Sequence, residues 1–189
     1  MIQPKLQFQS LSRRGVLRIA LGGAVGIATS PAIAAFGPRG DLDSRRLSFR
    51  HLHTGEQLSV IYREGVRYDP GALGQLDVLL RDFRTGEKTR MDVDLFEFLY
   101  QLKNALETDQ PFEIISGYRS PKTNARLAAQ GSGVAKRSYH MRGMAIDVRV
   151  PGRSLRHVRK AALSLRLGGV GYYGRSNFVH LDTGRIRFW

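Results

Sequence analysis

Three residues in the second half of the chain have the side-chain types that bind zinc. His140 and Asp147 belong to the segment SYHMRGMAID, and His180 belongs to the later segment FVHLD. His140 precedes a short predicted strand and Asp147 lies within it, while Gly143 allows the chain to turn between them. Two imidazoles and one carboxylate can hold Zn²⁺ with a fourth position free for water. The spacing leaves a second interpretation open, in which these residues bind no metal and lie at the surface or in the core.

The elements that position these residues are predicted to form one α+β domain. Alternating and apolar runs predict a β-hairpin over 47–62, followed by shorter strands and helices. The predicted strands are 112–116, 145–150, 170–173 and 178–182, and the predicted helices are 73–83, 91–107, 120–131 and 155–165. Strands and helices alternate without regular βαβ spacing. This order favours a central antiparallel sheet flanked by helices over a doubly wound sheet.

The first 34 residues predict export from the cytoplasm. They carry four Lys or Arg residues and no acidic residue, and an apolar run over 19–34 closes with Ala-Ile-Ala. The segment SRRGVLR at 12–18 is similar to a twin-arginine signal. Gly, Ser and Pro make the run too weakly apolar for a stable membrane span. We therefore expect a cleaved signal peptide over 1–34 and no stable membrane insertion afterwards, with an uncleaved anchor as the alternative.

The composition restricts both the chemistry and the partners. The 189 residues include no cysteine, which excludes disulfides, thiolate zinc sites and thiol nucleophiles. The formal net charge of +14 favours an acidic partner, such as nucleic acid, anionic lipid or an anionic polymer. An exported protein rarely meets nucleic acid. We therefore expect the acidic partner to be in the cell envelope. Residues 35–45 are predicted to be a linker and residues 46–189 the folded domain.

The motifs around the candidate ligands resemble those of the D-alanyl-D-alanine metallopeptidases. The pattern Ser-x-His-x-x-Gly-x-Ala-x-Asp occupies 138–147, the sequence Ser-Gly-Tyr-Arg-Ser-Pro occupies 116–121, and a distal His follows. The closing stretch, 168–184, is most similar to the MepK-like (YcbK-like) branch of exported murein endopeptidases. The resemblance covers about residues 45–189. It implies the fold that these enzymes share with the hedgehog N-terminal domain and the lysostaphin-type endopeptidases.

The resemblance also implies roles for individual residues. The implied ligands of one zinc ion per chain are His140, Asp147 and His180. Arg119 matches the arginine that holds a substrate carbonyl or carboxylate and stabilises the oxyanion, a role suited to a fixed guanidinium. Ser138 matches a serine that contacts substrate, although a loop hydroxyl bonded to its own backbone is equally open. Tyr173 is a further candidate to line the substrate groove, or it packs in the fold.

The general base is where this chain departs from the pattern of the family that it resembles. Many of them have a Glu three residues before the last His, where this chain has Asn177, and others have a His at the position of Phe178. Asp182 is the substitute candidate, because it lies two residues after His180 and points to the same face of a strand. Asp182 could accept a proton from the attacking water, or it could fix the tautomer of His180.

These expectations lead to three functional hypotheses. The first is a periplasmic or envelope zinc endopeptidase, with 46–189 as its catalytic domain, that hydrolyses peptide cross-links of peptidoglycan with metal-activated water. The second is a D,D-carboxypeptidase or dipeptidase with the same zinc site. The third is a non-catalytic, zinc-containing module that binds peptidoglycan. Nucleic acid is not an expected partner.

A predicted helix carries a group of cations outside the candidate site. His157 lies among Arg156, Arg159 and Lys160. Such a face is ordinarily solvated, but it could also contact an acidic polymer of the cell wall.

Overall fold

One eight-stranded sheet organises the part of the chain that the computed structural model describes, residues 43–130 and 134–189. The strands are β1 Ser44–His51, β2 Gln57–Glu64, β3 Arg67–Tyr68, β4 Phe112–Ser116, β5 Ala145–Arg149, β6 Gly169–Tyr173, β7 Phe178–Asp182 and β8 Arg187–Phe188. The helices are α1 Pro70–Leu79, α2 Val93–Ala105, α3 Pro121–Ala129 and α4 Leu155–Leu165, with a 3₁₀ helix at Tyr139–Arg142. The predicted signal peptide and residues 35–42 of the predicted linker lie outside the described residues.

The sheet is mixed, so the expectation of an antiparallel sheet is wrong for two of its strand pairs. The strand order is β3-β2-β1-β4-β5-β7-β6-β8. Strand β1 runs parallel to β4, and β6 runs parallel to β8, while the other neighbours are antiparallel. A parallel pair needs a long crossover connection. The segment that carries α1 and α2 supplies this connection and brings β4 alongside β1. The α+β class is confirmed.

One face of the sheet is the hydrophobic core. Helix α2 packs on β1 and α4, and α4 also packs on β6 and β7. The buried apolar residues of the sheet on this face are Leu47, Phe49, Phe112, Ile114, Ile146, Val148, Val170, Val179 and Leu181. Burial of each large side chain stabilises the fold by about 1.5–3 kcal/mol. Because side chains alternate along a strand, the residues between them in sequence point to the opposite face.

Helix α1 differs from the predicted range 73–83 at both ends. It begins at residue 70, because the side chain of Asp69 accepts hydrogen bonds from the first backbone amides. It ends at residue 79, and the carbonyl of Leu80 accepts a hydrogen bond from the amide of Tyr118 at 2.7 Å. A partner far along the chain therefore ends the helix, and a helical pattern cannot reveal such a partner.

The other predicted elements agree with the structure to within a few residues. The hairpin of β1 and β2 is confirmed, and β4 has its predicted bounds. Ser120 caps α3 as expected, and the predicted end of α3 at Gly131 lies outside the described residues. Strands β3 and β8 and the 3₁₀ helix were not predicted. Within 43–130 and 134–189, every helix is too short or too polar to cross a lipid bilayer.

Candidate metal centre and active-site cleft

Two of the predicted ligands are direct neighbours across the sheet. Asp147 on β5 pairs with His180 on β7, in the middle of the ladder that joins these strands. The next residues in the same row are Ser116 on β4 and Gly171 on β6. All of them lie on the face opposite the core, so the register of the sheet brings Asp147 and His180 together.

His140 reaches the same place from the 3₁₀ helix that precedes β5. The hydroxyl of Ser138 accepts a hydrogen bond from the amide of His140 at 3.3 Å and caps this helix. Gly143 ends it with a positive φ of 67°, so the predicted turn is confirmed. A side chain at Gly143 would also lie 2.5 Å from the carbonyl oxygen of Arg90. The short turn therefore requires glycine for its backbone angle and for space.

The three side chains form a compact, buried donor set. Their candidate ligand atoms all lie within 4.8 Å of one another. Nε2 of His140 is 3.2 Å and Nδ1 of His180 is 2.9 Å from the same oxygen, Oδ1 of Asp147. The two ring nitrogens are 3.1 Å apart. This is a suitable donor set for a divalent metal ion that prefers nitrogen and oxygen ligands.

Hydrogen bonds behind the rings determine which nitrogens can donate to a metal. Nδ1 of His140 donates to the carbonyl oxygen of Gly117 at 2.7 Å, because a carbonyl can only accept. Nε2 of His180 donates to Oδ2 of Asp182 at 3.0 Å. The opposite nitrogens, with their lone pairs, therefore face Asp147 and each other. Acceptor atoms held this close need a proton or a metal ion between them, and their convergence on one point supports a metal at this site.

The electrostatics of the site favour positive charge at its centre. Burial raises the pKa of Asp147, but His140 and His180 outweigh this effect and hold the pKa well below its usual range. Burial lowers the pKa of His180, but its hydrogen bonds to Asp147 and Asp182 raise it to about 9. Burial lowers the pKa of His140. These shifts favour an ionised Asp147, a neutral His140 and a protonated His180, so a metal ion that binds here would displace the proton on Nδ1 of His180.

Asp182 does not face the donor set. Its side chain is fully buried, and Oδ2 accepts hydrogen bonds from His180 and from Nη2 of Arg187 at 2.8 Å. Oδ1 accepts from Nη1 of Arg187 and the amide of Gly184, each at 2.9 Å. Burial raises the pKa of Asp182, but the hydrogen bonds from His180 and Arg187 lower it to about 2. This geometry argues against Asp182 as a general base and favours the alternative role of orienting His180.

Arg119 lies at the edge of the donor set. Its amide donates to the carbonyl of His140 at 3.1 Å, which fixes the backbone beside the centre. Nη2 lies 3.7 Å from Oδ2 of Asp147, Nη1 makes a long 3.5 Å contact with Asn124, and Nε has no hydrogen-bond partner. The guanidinium therefore keeps donors available for a substrate oxygen. Ser138 also borders the cleft, although its hydroxyl already accepts a hydrogen bond from the backbone amide of His140 in the 3₁₀ helix.

The donor set lies at the base of a cleft of about 500 Å³. Tyr173 and Trp189 form one wall, where the indole Nε1 of Trp189 donates to the hydroxyl of Tyr173 at 2.9 Å. The Tyr173 ring stacks on Phe178 with a centroid distance of 4.6 Å. A larger depression of about 810 Å³ lies beside β3 and contains none of the candidate ligands. The cleft at His180 is therefore the place where substrate and donor set can meet.

The sequence did not predict a role in the site for Arg187 or Trp189. Arg187 lies on the two-residue strand β8, which is too short to show periodicity, and Trp189 follows it. Both reach the site only because β8 pairs in parallel with β6. The alternation from Arg187 to Trp189, which puts both on one strand face, is the signal that could have identified them.

Comparison with known proteins decides the family. A family model described as "Peptidoglycan L,D-endopeptidase MepK" matches residues 40–189. The chain belongs to this family. The MepK protein of Escherichia coli K12 is 46% identical over 172 residues, which are 90% of this chain and 94% of the relative. The probable MepK of Haemophilus influenzae is 47% identical over 146 residues, 77% of this chain and 78% of the relative.

Membership of the MepK family confirms the resemblance on which the sequence analysis relied. The chain is an enzyme, a MepK-like murein endopeptidase of the M15 metallopeptidase family. The peptidase assignment favours the first of the three hypotheses over a module without activity. The His140, Asp147 and His180 group could hold the metal that a metallopeptidase needs.

Proposed function

We propose that this chain is a zinc-dependent L,D-endopeptidase that hydrolyses peptide cross-links of peptidoglycan. The supporting observation is the buried group of two imidazole nitrogens and one carboxylate oxygen at the base of the cleft. The relatives in Escherichia coli and Haemophilus influenzae carry the name peptidoglycan L,D-endopeptidase, which supports the choice of polymer and bond. The tetrahedral preference of zinc suits three protein ligands and one open position, which supports zinc over a metal of higher coordination number.

The protein side chains prepare this site for hydrolysis. When bound, zinc supplies Lewis-acid activation of the attacking water and the scissile carbonyl. His140, Asp147 and His180 hold the ion, and Gly117 and Asp182 keep the two imidazoles in the ligating tautomers. Arg119 donates to the carbonyl oxygen as negative charge develops on it. Tyr173 and Ser138 contact the peptide on either side.

The location of this activity follows from the polymer and from the N-terminal sequence. We propose that residues 1–34 are a twin-arginine signal peptide. The predicted linker over 35–45 is two residues too long at its end, because β1 begins at Ser44. The enzyme then acts in the periplasm or elsewhere in the cell envelope, without stable membrane insertion. We also propose that the domain has the fold of the hedgehog-type and D-alanyl-D-alanine peptidases, which its family membership supports.

The test is digestion of purified cross-linked peptidoglycan fragments, followed by mass spectrometry. Fragments joined through an L,D bond are compared with fragments joined through a D,D bond, with added zinc or with a chelator. We expect zinc-dependent conversion of the L,D-linked dimers to monomers. His140→Ala should abolish this reaction, and His157→Ala, which alters an exposed histidine on α4, should leave it unchanged.

Two other results would contradict the proposal. Removal of a terminal D-alanine without separation of the dimers would favour the carboxypeptidase. Intact fragments, together with zinc binding and cosedimentation with peptidoglycan, would favour the binding module.

A further inference from the structure

A second concave surface lies behind the cleft, where α4 packs against the sheet. It has a volume of about 350 Å³ and is lined by Arg156, Arg159, Lys160, Leu163 and Tyr172. Tyr172 and Tyr173 are consecutive on β6 and therefore point to opposite faces of the sheet. Tyr173 lines the active-site cleft. The two concavities therefore lie on opposite faces of the sheet, and each is bordered by one of two consecutive residues of β6.

The cations of this surface lack acidic partners. Among residues 43–130 and 134–189, no ion pair involves Arg156, Arg159 or Lys160. The guanidinium of Arg159 lies 5.6 Å from the centroid of the Tyr172 ring, and its Nε is buried without a hydrogen-bond partner. A buried donor without an acceptor is costly, because it has lost its water. A carboxylate bound at this surface would give the guanidinium of Arg159 an ionic partner, which the described residues do not provide.

The charge of the surrounding sequence strengthens this local field. Residues 114–189 contain 15 Lys or Arg residues and only two acidic residues, Asp147 and Asp182. Both of these carboxylates are buried, Asp147 in the donor set and Asp182 behind the ring of His180. The surface around the cleft therefore has no acidic side chain from this half of the chain, and a cationic field of this kind concentrates anionic ligands.

We propose that Arg156, Arg159, Lys160 and Tyr172 form a binding site for the carboxylates of peptidoglycan stem peptides. The identity of the polymer rests on the proposed function, and the site extends that function to a second contact on the same strand. Arginine suits this ligand, because its planar fork matches both oxygens of a carboxylate. The site holds one stem peptide while another part of the same polymer occupies the cleft. It therefore favours the intact polymer over short fragments.

Cosedimentation with insoluble peptidoglycan tests the site directly. The variant is Arg156→Gln/Arg159→Gln/Lys160→Gln. Its matched control is Arg46→Gln/Arg67→Gln/Lys88→Gln, which removes the same charge from exposed positions elsewhere on the protein. We expect at least a tenfold weaker association for the first variant and less than a twofold change for the control. Amidation of the polymer's carboxylates should weaken the association of the wild type to the level of the first variant.

Three results would overturn the proposal. An equal loss in the two variants would mean that net charge alone drives binding. Undiminished binding to amidated polymer would exclude carboxylates as the ligand. Tight binding of anionic lipid vesicles, with weak binding of peptidoglycan, would assign the surface to a membrane. If the triple variant unfolds, the double variant Arg156→Gln/Lys160→Gln replaces it in the same experiment, because both of its residues are exposed.

Hydrolysis distinguishes this proposal from the proposed function. The triple variant should cleave short soluble dimers at a rate within twofold of the wild type, because its residues lie outside the cleft, and should cleave intact peptidoglycan at least fivefold more slowly. If the wild type cleaves neither substrate, the proposed function fails, while cosedimentation still decides the carboxylate site. Equal slowing on both substrates would contradict a separate site.

Discussion

Oδ2 of Asp182 lies 3.0 Å from Nε2 of His180, on the side of the imidazole that faces away from the metal centre. The two residues are separated by one position on β7 and share a strand face. Arg187 holds the same carboxylate through two hydrogen bonds, at 2.8 and 2.9 Å. The orientation of a candidate ligand is therefore set from behind by a fixed ion pair.

The Asp182→Asn variant tests this relationship. An amide in this position no longer favours the tautomer in which Nδ1 of His180 is free to bind metal. We expect zinc affinity to fall by about 10–100-fold, and excess zinc should restore most of the activity. Zinc titration and rates measured against zinc concentration check this. Asp109→Asn is the control, since that carboxylate is 97% exposed. Loss of kcat at saturating zinc, with unchanged zinc affinity, would instead indicate a general base.

The Arg119→Lys variant tests the oxyanion contact. Lysine keeps the charge but loses the planar pair of donors beside Asp147. We expect kcat to fall by about 10²–10³-fold, the usual cost of losing one oxyanion donor, and zinc affinity to stay within twofold. Steady-state kinetics on an L,D-linked dimer provides the measurement. Arg126→Lys, on the exposed side of α3, should behave like the wild type. An unchanged kcat for Arg119→Lys would remove this residue from the reaction.

Asp82 is predicted to stabilise the loop that carries Arg119. Its Oδ2 accepts hydrogen bonds from the amide and hydroxyl of Ser120, at 2.9 and 2.7 Å, and the side chain is buried. Asp82→Asn should lower the free energy of unfolding at pH 7 by about 1–3 kcal/mol, because it leaves part of this network unsatisfied. Denaturant unfolding followed by circular dichroism checks this, and Asp109→Asn is again the control.

The contribution of Asp82 should also depend on pH. Burial raises the pKa of Asp82, but the nearby hydroxyl of Thr123 and the hydrogen bonds from Ser120 lower it to about 2 in the folded protein. A carboxyl group with a lowered folded-state pKa stabilises the protein above its unfolded-state pKa and loses this effect as the pH falls. The stability difference between wild type and Asp82→Asn should therefore shrink from pH 5 to pH 2. A difference that is constant over this range would contradict the assignment.

The aromatic wall of the cleft is predicted to bind the substrate. Trp189→Ala removes the ring beside His180 and the donor to the hydroxyl of Tyr173. Apolar surface contributes about 25 cal/mol to binding for each Å² that it buries, so loss of the indole should raise KM several-fold with little change in kcat. Trp189→Phe keeps a ring without the donor and should show a smaller rise. A fall in kcat alone would indicate that the wall acts on the metal centre instead.

The spacing of the candidate ligands left an interpretation without metal open, and the resemblance of their short local motifs to those of a known family singled them out. The sequence was sufficient for most strands and helices, since their apolar periodicity is local. Three features could not be predicted from the sequence, and the reason is the same for each. The end of α1 depends on the contact of Leu80 with Tyr118, the parallel pairing of β1 with β4 depends on a crossover, and the position of Asp182 depends on Arg187. Each requires a partner that is distant in sequence or lies on a strand too short to predict.

The two possible roles of Asp182 could not be separated before the structure was known. Strand alternation places Asp182 on the same face as His180 under either role. Only the side of the imidazole that it contacts distinguishes them, and that depends on the ring orientation imposed by Asp147 across the sheet.

The position of Trp189 has a consequence for optical measurements. It is the single tryptophan of the 189 residues, and its ring covers Gly171 and lies 5.3 Å from the ring of His180. Its backbone is held to β6 at the edge of the sheet by hydrogen bonds with Val170 and Tyr172. Indole fluorescence therefore reports metal loading and substrate docking without an added label. In a thermal melt the same emission follows fraying of this edge, which opens more easily than the core.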